Sequence, residues 1–396
     1  MKKFIFLSVA FVGYALGASE LESLAIQNSY EIKALKAKLN VLRTEVDLSD
    51  TWENPVLKIG ANDILFDEPL RRDKEPMQNE SITISQKIPT ASKLTIKKGI
   101  ATVDVSIGEA QLDEMILSVK KEMRILEHTL KKINTDLLIV QEYESVLEKL
   151  NALHVAYNYS SSHYADTFQT MISSKNIAIQ KHRLLASQQS TIFKIESIIN
   201  QKIPKAMNDL LTKANYTLKN EEEKVLSTNP TLKKMRLFVQ KSAQNTTFNQ
   251  ALEIPDVTLS LGYYHRDGFD DYAAVSVAMP LPVYGKEKLG VQKAMQLRHV
   301  ADENLRAAEN KLLFELKNMM TQKAFMENQI LLNQEILSEK EKIYENIKDT
   351  ASTQQNGLLG SLTMVMQMLD SKLKINQYIF EYNQNIEAIK SIVGEE

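Results

Sequence analysis

The chain has 396 residues, a formal net charge of −2 and no cysteine. Disulfides, thiolate chemistry and a lipid-modified N-terminal cysteine are therefore excluded, and the near-neutral charge gives no footing to nucleic-acid binding. With 43% apolar residues but only 12 Gly, 9 Pro and one Trp, the balance is that of long helices rather than a loop-rich enzyme.

In chain order, Met1-Lys2-Lys3 and the apolar Phe4–Leu16 read as a secretory signal peptide over 1–18, cleaved after Gly17 or Ala18. Its apolar core of about 13 residues is too short to cross a bilayer, and no later run reaches the length that would. Residues 19–203 are expected to form a first unit. A helix over 19–50 carries Leu21, Leu24, Ala25, Leu35, Leu39 and Leu42 at helical spacing, and Asn54-Pro55 ends it. Strands follow at about 56–66 and 81–88, then a helical hairpin over about 92–199. A linker covers 204–228. The second unit, 229–396, repeats the plan: a helix to Leu252, strands at about 257–264 and 273–279, and a helical hairpin over about 288–393.

The strands alternate. Val257, Leu259, Leu261 and Tyr263 fall on one face of the third, with Thr258, Ser260 and Gly262 on the other; Ala273, Val275 and Val277 continue the apolar face in the fourth. A half-buried soluble sheet shows this pattern, and so does a membrane barrel with a wet lumen. Phe66, Tyr263, Tyr264 and Tyr272 gather at the loop ends, where a headgroup girdle would sit. In the first long helix Leu112, Ile116, Val119, Met123, Leu126, Leu130, Ile133, Leu137, Val140, Tyr143, Leu147 and Leu150 keep the spacing of a coiled-coil seam. Four strands cannot close a barrel, so strands in a membrane would require several chains to share one.

These features together resemble the TolC-like outer-membrane efflux proteins, closest to the heavy-metal (CzcC-like) branch. The resemblance rests on Asn54-Pro55-Val56-Leu57, Gln86-Lys87-Ile88-Pro89, Pro255-Asp256-Val257-Thr258-Leu259 and Met279-Pro280-Leu281-Pro282-Val283-Tyr284-Gly285, with Ala294, Ala301 and the Gly357…Leu369-Asp370 pattern. It covers essentially the whole mature chain. It implies a mainly helical fold with a small β part, in two tandem repeats of β-ribbon plus helical hairpin. It further implies a homotrimer with a 12-stranded barrel in outer-membrane lipid and a helical tunnel in the periplasm, working with a periplasmic adaptor and an inner-membrane RND pump. The duct would pass heavy-metal cations or small toxic compounds. The chain departs from many members in having Met364 or Met366 where they carry an acid near the tip, and in lacking a lipidated cysteine.

On this reading the helix reversals are the periplasmic tips that dock the adaptor: Tyr159, Ser160, Ser161, Ser162 and His163 in the first half, and Gly357, Leu358, Leu359, Gly360 and Ser361 in the second. Gly357 and Gly360 suit a tight turn because glycine adopts positive φ freely. Asp370, Met364 and Met368 are candidates for lumen selectivity. The six histidines show no HxH or HxxxH spacing, so no metal site is expected, and no nucleophile–base set or phosphate loop calls for an enzyme or a cofactor. Two alternatives remain: the outer-membrane component of type I protein secretion, and a periplasmic coiled-coil structural or adaptor protein.

Overall fold

The computed structural model describes residues 18–157, 164–203, 207–217, 220–351 and 357–394. The signal segment up to Gly17 lies outside them, as does the whole first reversal, Tyr159, Ser160, Ser161, Ser162 and His163.

Where one helix was expected over 19–50 there are two, α1 (Ala18–Asn28) and α2 (Tyr30–Ser49). Ser29 makes the break, because its hydroxyl accepts the Ile32 N–H at 3.3 Å and caps α2. The chain continues through β1 (Val56–Asn62), β2 (Asn79–Ile88), α3 (Lys93–Tyr157) and α4 (Tyr164–Ile199). Residues 207–217 carry neither helix nor strand, and α5 (Glu221–Thr228) and α6 (Pro230–Ala251) come next. Then come β3 (Val257–His265), β4 (Tyr272–Ala278), α7 (Lys286–Ala351) and α8 (Gly357–Val393). The order helix, strand, strand, helix, helix occurs twice. α3 has 65 residues and α7 has 66, each about 98 Å of helix at 1.5 Å per residue.

The strands form one antiparallel sheet in the order β1-β2-β3-β4. β1 stops at Asn62, short of the expected Phe66, because Asp63 takes the left-handed conformation (φ 58°) and turns the chain away.

The chain divides into two compact units. The first takes in the chain up to Lys33, Asp113–Asn229 and the chain from Asn310 onward. There the α3 seam is buried: Val140, Tyr143, Leu147 and Leu150 pack with Ile177 of α4 and with Leu362, Val365 and Leu369 of α8. A second cluster joins Val225 of α5 and Leu316 and Ile330 of α7 to Tyr382, Ile386, Ile389 and Val393 of α8. Each fully buried Leu or Ile contributes about 1.5–3 kcal/mol from removal of apolar surface from water. The extended stretch 207–217 has no regular partner strand, so side chains satisfy its backbone. Asn134 Nδ2 donates to the carbonyls of Met207 (2.7 Å) and Asp209 (3.1 Å), and Leu211 N–H donates to Thr135 Oγ1. Asn383 takes the Ala214 N–H and donates to the Thr212 carbonyl. Buried peptide groups must find partners, and these three side chains supply them.

The second unit, Ala34–Leu112 and Pro230–Glu309, holds the sheet. α2 lies close on α3 at Gly108, where a Cβ would stand 2.8 Å from Leu39 Cδ2 and 2.9 Å from Leu42 Cδ1. Glycine allows that approach without displacing either leucine methyl. The buried apolar residues of this unit include Leu39, Val103, Ile107, Ala110, Leu232, Ala251, Val291 and Ala294, and Lys241 reaches Asp104 at 2.6 Å.

Candidate functional site

The register of the sheet sorts its side chains into two faces. Leu57 pairs with Ile84, Ile84 with Leu261, and Leu261 with Val275, which makes a row of large apolar residues across all four strands. Ile59, Ile82 and Tyr263 form the next row, and Leu259 and Val277 a third. All of them are exposed, from 43% at Leu259 to 73% at Ile59. The other face carries Lys58, Thr83, Ser85, Ser260 and Ser276, with Ser85 Oγ 2.8 Å from Ser260 Oγ. Successive strand residues point to opposite faces, so the alternation in the sequence becomes an apolar side and a polar side. Monomeric soluble proteins rarely leave so broad an apolar face in water. The outer edges of β1 and β4 are both unpaired among the described residues.

The loops at the far end of the strands are built rather than slack. Gln78, 1% exposed, accepts from the N–H groups of Lys74 and Glu75 and donates to the carbonyls of Asp63 and Arg71. Arg72 Nη2 bridges the carbonyls of Asn62 and Asn79 at 2.8 and 2.7 Å. At the loop ends of β3 and β4, the paired Tyr264 and Tyr272 stack with ring centroids 4.7 Å apart and planes 2° from parallel. Arg266 lies over Tyr272 and Phe269, 5.2 and 5.7 Å from their ring centroids. The Asp271 carboxyl drops to about 2 because the Tyr263 hydroxyl, the Arg266 N–H and His265 all favour its ionised form.

Of the second reversal, Gly357, Leu358 and Leu359 form the first turn of α8, and Gly360 and the buried Ser361 follow in the same helix. Gly360 is therefore helical, not a left-handed turn residue as its spacing suggested. A Cβ on it would meet Ile347 Cγ2 at an ordinary 3.7 Å. Asp370 is exposed and paired with Lys374 at 2.8 Å, which offsets its charge. Met368 packs against the cluster of Leu147, Val365 and Leu369, and Met364 is half-buried. The three selectivity candidates thus do not converge. Nor do the histidines: His265 sits by Asp271 and His128 lies 3.9 Å from Glu387. His299 lines a polar groove of about 650 Å³ with Gln244, Arg298 and Asp302. Among the described residues no group of three or more His, Cys, Asp or Glu is placed to hold a metal ion, and no helix is long and apolar enough to cross a membrane.

No family model matches the sequence, and no curated protein matches it. Solved structures do match. The chain is similar in fold to the outer membrane protein VceC of Vibrio cholerae, at a TM-score of 0.80 and 14% identity over 96% of each chain. It is similar to the Campylobacter jejuni CmeC outer membrane channel, at 0.74 and 12% over 95% of this chain and 85% of that one. It is similar also to CusC, a transmembrane channel former, at 0.78 and 11% over 96% and 92%. The fold is therefore that of the outer-membrane channel proteins, the fold that the TolC-like resemblance implied.

Proposed function

We propose that the protein is the outer-membrane duct of a tripartite efflux system. The observation that carries the reading is the sheet: four strands, two open edges, and one face with large exposed apolar residues on every strand. In lipid the apolar face is solvated, but the open edges are not, so copies must pair edge to edge until a barrel closes. Two copies would give eight strands, whose interior side chains fill; three give about twelve, which leaves room for solutes. On this reading Thr83, Ser85, Ser260 and Ser276 line the water-filled side, and the protein is a homotrimer in outer-membrane lipid. The signal peptide over 1–18 delivers it there. The chain is divided into two repeats, 19–203 and 229–396, joined by 204–228. The two reversals, Tyr159 to His163 and Gly357 to Ser361, dock a periplasmic adaptor, and an RND pump in the inner membrane loads the tunnel.

The cargo follows from the resemblance: heavy-metal cations or small toxic compounds. Asp370 paired with Lys374, and Met368 packed inward, lend no added support to a metal filter at that level. The test is fractionation with crosslinking. A detergent-requiring species of three chains, converted to monomer only on heating, is the expected result. Release of a soluble monomer by osmotic shock would overturn the reading and favour a periplasmic coiled-coil protein. Sensitivity of a deletion strain to a metal series against a drug series would then divide the two classes of cargo.

A further inference from the structure

The channel reading makes no use of a buried carboxyl in the first unit. Glu127 of α3 is 4% exposed, and its Oε1 has no hydrogen-bond partner. Next to it in sequence, the buried Nδ1 of His128 also lacks one. The charged groups that act on Glu127 are Glu22 of α1, Arg124 and Lys131 of α3, and Asp209 of the stretch 207–217. Glu387 of α8 joins this set through Arg124, and His128 and Lys390 lie against Glu387 in turn. Arg124 is already committed. Its Nε and Nη2 hold the Glu22 carboxylate at 2.7 and 3.1 Å, and its Nη1 reaches Glu387 at 3.4 Å. Lys390 is taken by Glu387 at 2.8 Å. An ionised Glu127 would thus be a buried charge with one oxygen unsatisfied, close to Glu22 and Asp209 and opposed chiefly by Lys131; a protonated one carries no charge to bury.

We propose that Glu127 is a proton-operated latch on α1. Protonated, it leaves the Glu22–Arg124 pair to lock α1 onto α3; ionised, it places a third acid against Glu22 and Asp209 and loosens α1. The electrostatics agree. Burial above all, with Glu22 and Asp209 adding to it against Lys131 and Arg124, pushes the Glu127 carboxyl up to about 7. Burial also works against ionisation of Glu387, yet His128, Lys390 and Arg124 overcome it and bring that carboxyl to about 2. Glu387 is then a fixed anion, and Glu127 is the acid that titrates near neutrality.

Hydrogen exchange of the intact protein tests the latch without reference to transport, so its result stands apart from the channel reading. With Glu127 at its ordinary value when α1 is open and near 7 when it is closed, opening should become about tenfold more favourable from pH 6 to pH 8. Protection factors for the amides of α1, corrected for intrinsic exchange, should fall by that factor in the native chain. Glu127→Gln should abolish the fall, and Glu127→Met should do the same where the Gln variant yields too little folded protein. His128→Gln should keep it. A pH-independent α1 in the native chain would overturn the proposal. So would a fall that survives both Glu127 variants, or one that disappears in His128→Gln.

Discussion

Lys93 Nζ lies 2.6 Å from Asp256 Oδ1 and ties together two residues 163 positions apart. Lys93 opens α3 just past β2, and Asp256 stands just before β3. The same ammonium donates to the Ile254 carbonyl, and Thr90 N–H donates to Asp256 at 3.1 Å. The link fixes a junction that the backbone alone would not favour, since Ala91 and Ser92 both carry positive φ, 52° and 53°, without being glycine.

That junction yields the first prediction. The Lys93 side chain is 6% exposed and that of Asp256 21%. Lys93→Met, which leaves the aspartate only Thr90 and the more distant Lys87 at 3.7 Å, should destabilise the fold by about 1.5–3 kcal/mol, read as a lowered thermal midpoint. Burial opposes ionisation of Asp256, but hydrogen bonds from Lys93 and Thr90 and the charges of Lys93 and Lys87 outweigh it and hold the carboxyl below its ordinary value. A depressed carboxylate stabilises the fold at neutral pH and ceases to do so as the pH falls below about 4. The native protein should therefore lose midpoint on acidification through that window, and Asp256→Asn should lose less. Equal acid sensitivity in both would remove the pair from the account.

The second prediction concerns the two faces of the sheet. Val275 and Ser276 are neighbours on β4 but point to opposite sides. With the apolar face in lipid, Val275→Arg should destabilise by about 2–4 kcal/mol and Ser276→Arg by well under half as much. The ratio of heat-resistant oligomer to monomer, measured for both variants, checks it. Similar losses would mean that the apolar face does not meet lipid.

Much of this architecture was legible because it is local. Alternation at Val257–Tyr263 needs only a period of two, Pro55 and Pro255 mark where helices give way to strands, and the α3 seam repeats over many turns. The break at Ser29 was passed over, since Ala25 and Ile32, seven apart and both buried, carry the helical pattern through it, although serine is a favoured cap residue. Gly360 misled for the opposite reason: glycine marks turns by habit, yet here it lies inside α8. The pairings of Lys93 with Asp256, of Arg124 with Glu22, and the seclusion of Glu127 depend on chain segments far apart. No spacing rule reaches across them. Gly262 looked like another small residue on a polar face, although Tyr264, two residues on and so on the same face, is the one whose ring folds over it.

A third prediction uses the helical placement of Gly360. Alanine fits, with its Cβ 3.7 Å from Ile347, and should stabilise α8 by about 1 kcal/mol from helix propensity. Gly360→Gln should also fold. If the start of α8 docks the adaptor, the longer side chain should weaken adaptor binding at least tenfold, measured on the purified oligomer, while alanine has a small effect. Unchanged affinity in the glutamine variant would place docking elsewhere.

The fourth prediction returns to the polar face of the sheet, where Tyr264 leans back over Gly262. A Cβ at Gly262 would stand 2.8 Å from Tyr264 Cε2 and 3.0 Å from Thr83 Oγ1, closer than side-chain carbons sit. Thr83 can turn its hydroxyl away. Tyr264 has less freedom, because it is stacked on Tyr272 and Tyr272 is covered by Arg266. Moving the ring would forfeit a stack worth about 0.5–1.5 kcal/mol. Gly262→Ala should therefore destabilise by about 1–3 kcal/mol, the usual cost of overpacking. In a Tyr264→Ala background the same change has no ring to displace and should cost less than half as much, a coupling that thermal unfolding of the four variants would measure. Strict additivity would mean that the glycine is there for its backbone and not to make room for the tyrosine.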